Sequence, residues 1–163
     1  VYAAAEPDYE HGIVNLLTGQ KDTSVEFGTH LIGFNANSTI MASVVDVPGY
    51  ISRQVLFTDL ATGNVLAQMN FFGGTRPAFD RNGDLLIIGG VDDEAPNPDN
   101  AFGLLFFFNF ADVLISQEVD RTDAIRFESL GHDWPTVTEF SPDYRLLAVV
   151  TGGELSLWGV SAE

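Results

Sequence analysis

The chain reads as an all-β protein built from four copies of one antiparallel meander, and three observations predict it. Thirteen Phe and sixteen Gly in 163 residues, with no long runs of Ala, Leu, Glu and Lys, suit short strands joined by tight turns better than helices. A turn followed by an apolar strand recurs three times: Gly33-Phe34-Asn35-Ala36-Asn37-Ser38, Ala78-Phe79-Asp80-Arg81-Asn82-Gly83 and Glu139-Phe140-Ser141-Pro142-Asp143-Tyr144. The strands that follow these turns align with a further apolar strand in every copy. That places Asn15, Asp59, Asn109 and Gly159 in one column, spaced 44, 50 and 50 residues apart.

The best-patterned stretch is Thr136 to Val160, three short apolar runs cut by Ser-Pro-Asp and Gly-Gly turn signals. Second strands are expected from Val1, Thr39, Asp84 and Arg145. Third strands are expected as GIVNLLTG, QVLFTDLATG, GLLFFFNFAD and ELSLWGVSA. A weaker fourth strand follows three of them, at 24–27, 64–71 and 124–130. The approximate units are 1–28, 29–72, 73–130 and 131–163, so the first copy opens at its second strand and the last closes after its third. The Leu104 to Phe108 run is apolar on both faces and is expected as a third strand buried between neighbouring sheets, with Met41 and Met69 in the same core.

Leu130-Gly131-His132, then Val137, Phe140-Ser141-Pro142-Asp143, Leu146-Leu147-Ala148 and Leu157-Trp158, resembles in order the GH, FSPDG-LLA and LWD marks of the WD-repeat family of β-propellers. The likeness is close in the last copy and faint in the others. The family's closing Trp-Asp stands as Trp158-Gly159, Thr58-Asp59 and Phe108-Asn109, and Gly152-Gly153 replace the turn Asp of the family's His-Trp relay. The resemblance implies a degenerate, WD-like propeller of about four blades, the first and last incomplete. An open arc exposes apolar blade faces and unpaired edges, so completion by a second copy or by further chain is expected. The start at Val1, without Met or a basic apolar leader, reads as a processed or excised piece.

In this topology the connections between second and third strands share one rim with those that lead into the next blade. That rim collects Tyr9, His11, Tyr50, Arg53, Arg76, Asp92, Asp93, Glu94, His132 and Trp134. Tyr and Trp bury area at little rotamer cost, which makes the rim the candidate binding surface for a protein or peptide. A net charge of −16, with Lys21 the only lysine, argues against a nucleic-acid or anionic-membrane surface and leaves a basic partner or a cation open. The same acids also serve to keep a Phe-rich chain in solution.

Chemical motifs are sparse. Asp80, Asn82 and Asp84 have the alternate-oxygen spacing of a calcium loop but lack the later bidentate Glu, and Asn82-Gly83 is a hairpin signal in its own right. His11, His30 and His132 fall in different copies, without the spacing of a zinc site. No cysteine is present, and no phosphate-binding glycine loop or G-x-S-x-G elbow occurs. No cofactor is expected. The favoured reading is therefore a non-catalytic scaffold. The alternatives are an enzyme domain with a substrate or cation in the central funnel, and a self-associating propeller piece with only a structural role.

Overall fold

The computed structural model describes residues 2–5, 12–15, 19–22, 32–46, 52–72, 75–91, 102–131 and 133–159. Strands β1 (Tyr2–Ala5), β2 (Gly12–Asn15) and β3 (Lys21–Asp22) form the first sheet. The second contains β4 (Ile32–Phe34), β5 (Ile40–Asp46), β6 (Ser52–Asp59) and β7 (Val65–Phe72). Next come β8 (Ala78–Phe79), β9 (Leu85–Val91) and β10 (Gly103–Asn109), then helix α1 (Phe110–Ser116), β11 (Glu118–Val119) and β12 (Arg126–Ser129). The third sheet runs β12-β10-β9-β8, and the fourth joins β13 (Pro135–Phe140), β14 (Leu146–Thr151) and β15 (Glu154–Gly159). The first, third and fourth sheets are antiparallel, as is β4 to β7 of the second, and the expected strand at 24–27 lies outside the described residues.

The repeat read from the sequence recurs in the strand register. Asn15, Asp59, Asn109 and Gly159 each end the third strand of their sheet, and each pairs with the residue that opens the second strand: Tyr2, Ile40, Leu85 and Leu146. The three first turns share one hydrogen-bond scheme despite different residues. A side-chain oxygen of Asn35, Asp80 or Ser141 accepts the backbone N–H five residues on, at 2.9, 3.0 and 3.0 Å. The residue three places on holds a positive φ in all three turns: Ser38, Gly83 and Tyr144.

The second, third and fourth sheets stack face to face, so β9 and β10 of the third are covered on both sides. Ala42, Val44, Val55 and Phe57 of the second sheet pack on Leu86, Ile88, Phe106 and Phe108 of the third. The opposite face of the third sheet, through Ile87 and Leu105, meets Leu147 and Val149 of the fourth. Leu104 to Phe108 is thus a strand sandwiched between two sheets, as its unbroken apolar run predicts, and Met41 and Met69 are fully buried. The innermost strands approach so closely that a Cβ on Gly33 would overlap the Pro77 carbonyl oxygen.

One segment departs from the meander. The third strand of the third sheet stops at Asn109 instead of running to Asp112, and α1 begins there. The Asn109 side chain accepts the Ala111 N–H at 3.0 Å and caps the helix. Phe110 then turns inward, its ring centroid 5.3 Å from that of Phe57 and 4.9 Å from that of Phe79. After α1 the chain adds β11 in parallel to β7, so the second sheet gains a fifth strand from the third copy. Phe106, Phe108 and Phe110 alternate like a strand, which is why the sequence reads on through position 110. The spacing of Phe110 and Val113, behind an N-cap Asn and with Asp112 in the first turn, is the helical signal. Among the described residues no helix is long and apolar enough to cross a membrane.

Candidate functional site

The two ends of the sheets differ in what they offer. At the end that carries the first turns, polar side chains are used up by the backbone. Asp80 accepts the Leu85 N–H, and Asp84 contributes its carbonyl to the Phe110 N–H at 2.8 Å. The Asp80 side chain and the Asp84 carbonyl thus brace the hairpin, and no cluster of three acidic or histidine side chains able to hold a metal ion occurs among the described residues. Asp59 behaves alike at the same end: its carboxylate accepts the Thr62 hydroxyl and N–H, both at 2.8 Å, and the Ala61 N–H at 3.0 Å. The Thr62 hydroxyl foremost holds the Asp59 carboxyl below its ordinary range, and the Ser141 hydroxyl does the same for Asp143.

The opposite end is the rim. Tyr9, His11, Tyr50, Asp92, Asp93, Glu94 and His132 lie outside the described residues, whereas Arg53, Arg76 and Trp134 lie within them. Arg53 sits half-buried near the start of β6, in register with Asp46 and Phe71. Arg76 is exposed on the connection entering the third sheet, and Trp134 is 52% exposed on the connection entering the fourth. The Trp134 connection is clamped on both sides. Leu130 donates its N–H to the Gly103 carbonyl at 2.8 Å, and Gly103 donates to the Gly131 carbonyl at 2.9 Å. A Cβ on Gly103 would overlap the Asp133 carbonyl oxygen, and one on Gly152 would meet the Asp133 carboxylate. Asp133 is thereby wedged between the start of β10 and the β14–β15 turn, which puts connections of both kinds on one rim.

Beneath the rim lies a buried polar link that the sequence does not announce. The Thr75 and Thr138 hydroxyls are 2.7 Å apart, and Thr138 also donates to the Arg76 carbonyl at 3.1 Å. Gly89 donates its N–H to the Thr75 hydroxyl at 3.0 Å. A consistent assignment sends the Thr75 proton to Thr138 and the Thr138 proton to Arg76, leaving every member satisfied. Two threonines 63 residues apart carry no local signal; only the stacking of the third and fourth sheets brings them together.

The first strands β4, β8 and β13 stand side by side and border a cleft of about 550 Å³. Phe34, Phe79, Phe140, Pro142 and Tyr144 give it apolar walls, with Arg76 at the rim end and Glu139 on β13. Catalysis in such a cleft needs convergent acid, base or metal-ligating groups. The described lining holds one guanidinium, one carboxylate and one phenol as its ionisable groups.

No protein-family model matches the chain, and no curated protein does. Solved structures do. Hydrazine synthase of Kuenenia stuttgartiensis superposes with a TM-score of 0.61 at 13% identity, over 91% of this chain and 46% of that one. TolB from Acinetobacter baumannii gives 0.57 at 13% identity, over 90% of this chain and 33% of that one. A eukaryotic initiation factor gives 0.56 at 19% identity, over 92% and 34%. The chain thus spans less than half the length of each of these proteins. They are β-propeller proteins, and at such identities the likeness speaks for the fold alone. The stacked meanders and these superpositions together make the chain an arc of four β-propeller blades, with the first and last incomplete.

Proposed function

We propose that this chain is part of a degenerate, WD-like propeller that works as a non-catalytic scaffold, binding a protein or peptide partner on its loop rim. The observation that carries the reading is Trp134, a half-exposed indole on a connection held by backbone hydrogen bonds at Gly103 and by the Asp133 wedge. An aromatic presented on a rigid support loses little entropy when it is covered, which is the property of a binding anchor. The charge of −16 favours a basic partner, and Arg76 and Arg53 would set its orientation.

The test is binding to an array of Lys- and Arg-rich peptides, comparing the chain with a Tyr9→Ala, Tyr50→Ala, Trp134→Ala triple variant. The expected result is a loss of at least about tenfold in affinity for the selected peptides, with an unchanged far-ultraviolet dichroism spectrum. A triple variant that binds every selected peptide as before would sink the rim reading.

A further inference from the structure

The three first turns share one backbone plan, and the residue at positive φ is Ser38 at 55°, Gly83 at 78° and Tyr144 at 60°. Glycine takes that conformation freely, whereas a bulky aromatic there is an outlier that costs stability. The Tyr144 ring stands 5.9 Å from that of Phe140, and both line the cleft between β4, β8 and β13. Its hydroxyl makes no hydrogen bond among the described residues. Strain at one copy of a repeated turn points to a use for the side chain that causes it. At the rim end of the same cleft Arg76 is exposed. Its guanidinium makes no hydrogen bond or ion pair among the described residues, although the chain carries 23 acidic side chains to 7 Lys and Arg. Its backbone, by contrast, is fixed: the Arg76 carbonyl accepts the Thr138 hydroxyl at 3.1 Å, Thr75 before it is buried, and Pro77 after it restricts its ψ. Glu139, the carboxylate of this cleft, forms no pair with Arg76. Thr138 turns toward the third sheet, so strand alternation turns Glu139 to the other face.

We propose that this cleft binds a small monocarboxylate carrying an aryl ring at the far end of a short apolar chain, with the carboxylate on Arg76 and the ring among Phe34, Phe140 and Tyr144. A guanidinium fork meets a carboxylate through two parallel hydrogen bonds, and a fork whose backbone is already held loses less freedom in doing so. The aromatic walls favour a ring, which they cover by edge or offset contact. From Arg76 to Phe79 the chain advances ~10 Å, three steps of about 3.3 Å, and this sets the separation of carboxylate and ring. A volume of about 550 Å³ lies within the range of small-molecule sites. The net charge of −16 repels each negative charge brought in, which favours a single carboxylate over a phosphate dianion. The walls come from first strands of three consecutive sheets of this chain, and the proposal does not rest on partner binding at the loop rim.

The test is calorimetric titration of the 163-residue chain with 4-phenylbutyrate, beside 4-phenylbutanamide as its neutral counterpart. The expected result is saturable binding of the acid with a Kd below about 1 mM, and binding of the amide at least about tenfold weaker. Arg76→Gln should weaken the acid by a similar factor and leave the amide unchanged. Arg76→Lys keeps the charge without the fork and should fall between. Tyr144→Gly should weaken both ligands by about fivefold through loss of the ring, and the turn itself favours glycine. Tyr144→Asn, which tolerates the same φ, gives the comparison if glycine loosens the turn. Absence of saturable binding, an amide that binds as tightly as the acid, or an affinity for the acid unchanged by Arg76→Gln or by both Tyr144 variants would each overturn the proposal. The Tyr9→Ala, Tyr50→Ala, Trp134→Ala variant should bind 4-phenylbutyrate as the parent does, so the cleft and the rim can fail separately.

Discussion

The interface between the second and third sheets and the interface between the third and fourth are built on the same backbone plan, yet they are held by different means. The first is apolar and aromatic: Phe57, Phe79, Phe106, Phe108 and Phe110 meet there, and α1 and β11 lay Val113 and Val119 over its edge. The second is a smaller cluster of Ala78, Ile87, Leu105, Leu147 and Val149, supplemented by the buried Thr75–Thr138 link. The difference teaches that stability is graded along the arc. The second and third sheets form one unit tied by a strand that crosses from one to the other. Among the described residues the fourth is attached through the smaller cluster alone and is the place for local opening.

Three perturbations break or sharpen that contrast. The largest effect is expected from Phe57→Ala, which empties the centre of the aromatic interface and should lower global stability by about 3–5 kcal/mol in denaturant unfolding. Amide protection should fall in both the second and third sheets together. Smaller is Thr138→Val, which removes one hydroxyl from the buried link and leaves the Thr75 hydroxyl only its longer 3.3 Å bond to the Arg76 carbonyl. It should destabilise by about 1–3 kcal/mol, and hydrogen exchange should accelerate in β13–β15 while β5–β7 stay protected. If exchange rose equally everywhere, the fourth sheet would not be a separate unit.

The smallest effect is on pH dependence at the turns. The folded carboxyls of Asp59 and Asp143 lie below their unfolded value of about 3.9. Between the two values the unfolded state binds more protons, so stability rises with pH there. The contribution is fully present above the unfolded value and is lost as pH falls through the folded one. Asp59→Asn should flatten this acid limb slightly and leave neutral-pH structure unchanged. A steeper limb in the variant would contradict the assignment.

Much of the architecture was legible because it depends on residues close in sequence. The column of Asn15, Asp59, Asn109 and Gly159 falls at strand ends because each follows an apolar run of similar length. Asn35, Asp80 and Ser141 look unlike one another, but all three supply an acceptor oxygen at the same place in a tight turn. The α1 excursion was hidden because a Phe every second residue suits a strand until the backbone finds a better burial for Phe110. Of the rim, the composition was readable, whereas the clamp that holds Trp134 was not, since Gly103 and Asp133 meet only across stacked connections.

Strand length, turn placement and the repeat interval are set by short-range sterics and by alternation of apolar side chains, and these the amino-acid order determines unaided. Which face of a sheet is covered is a property of the neighbour, not of the strand. Val55 and Leu155 are chemically alike, yet one is buried and the other stands in solvent. The Thr75–Thr138 pair and the crossing of β11 to β7 were likewise decided by tertiary packing, because burying apolar surface between sheets fixes contacts that no local preference specifies.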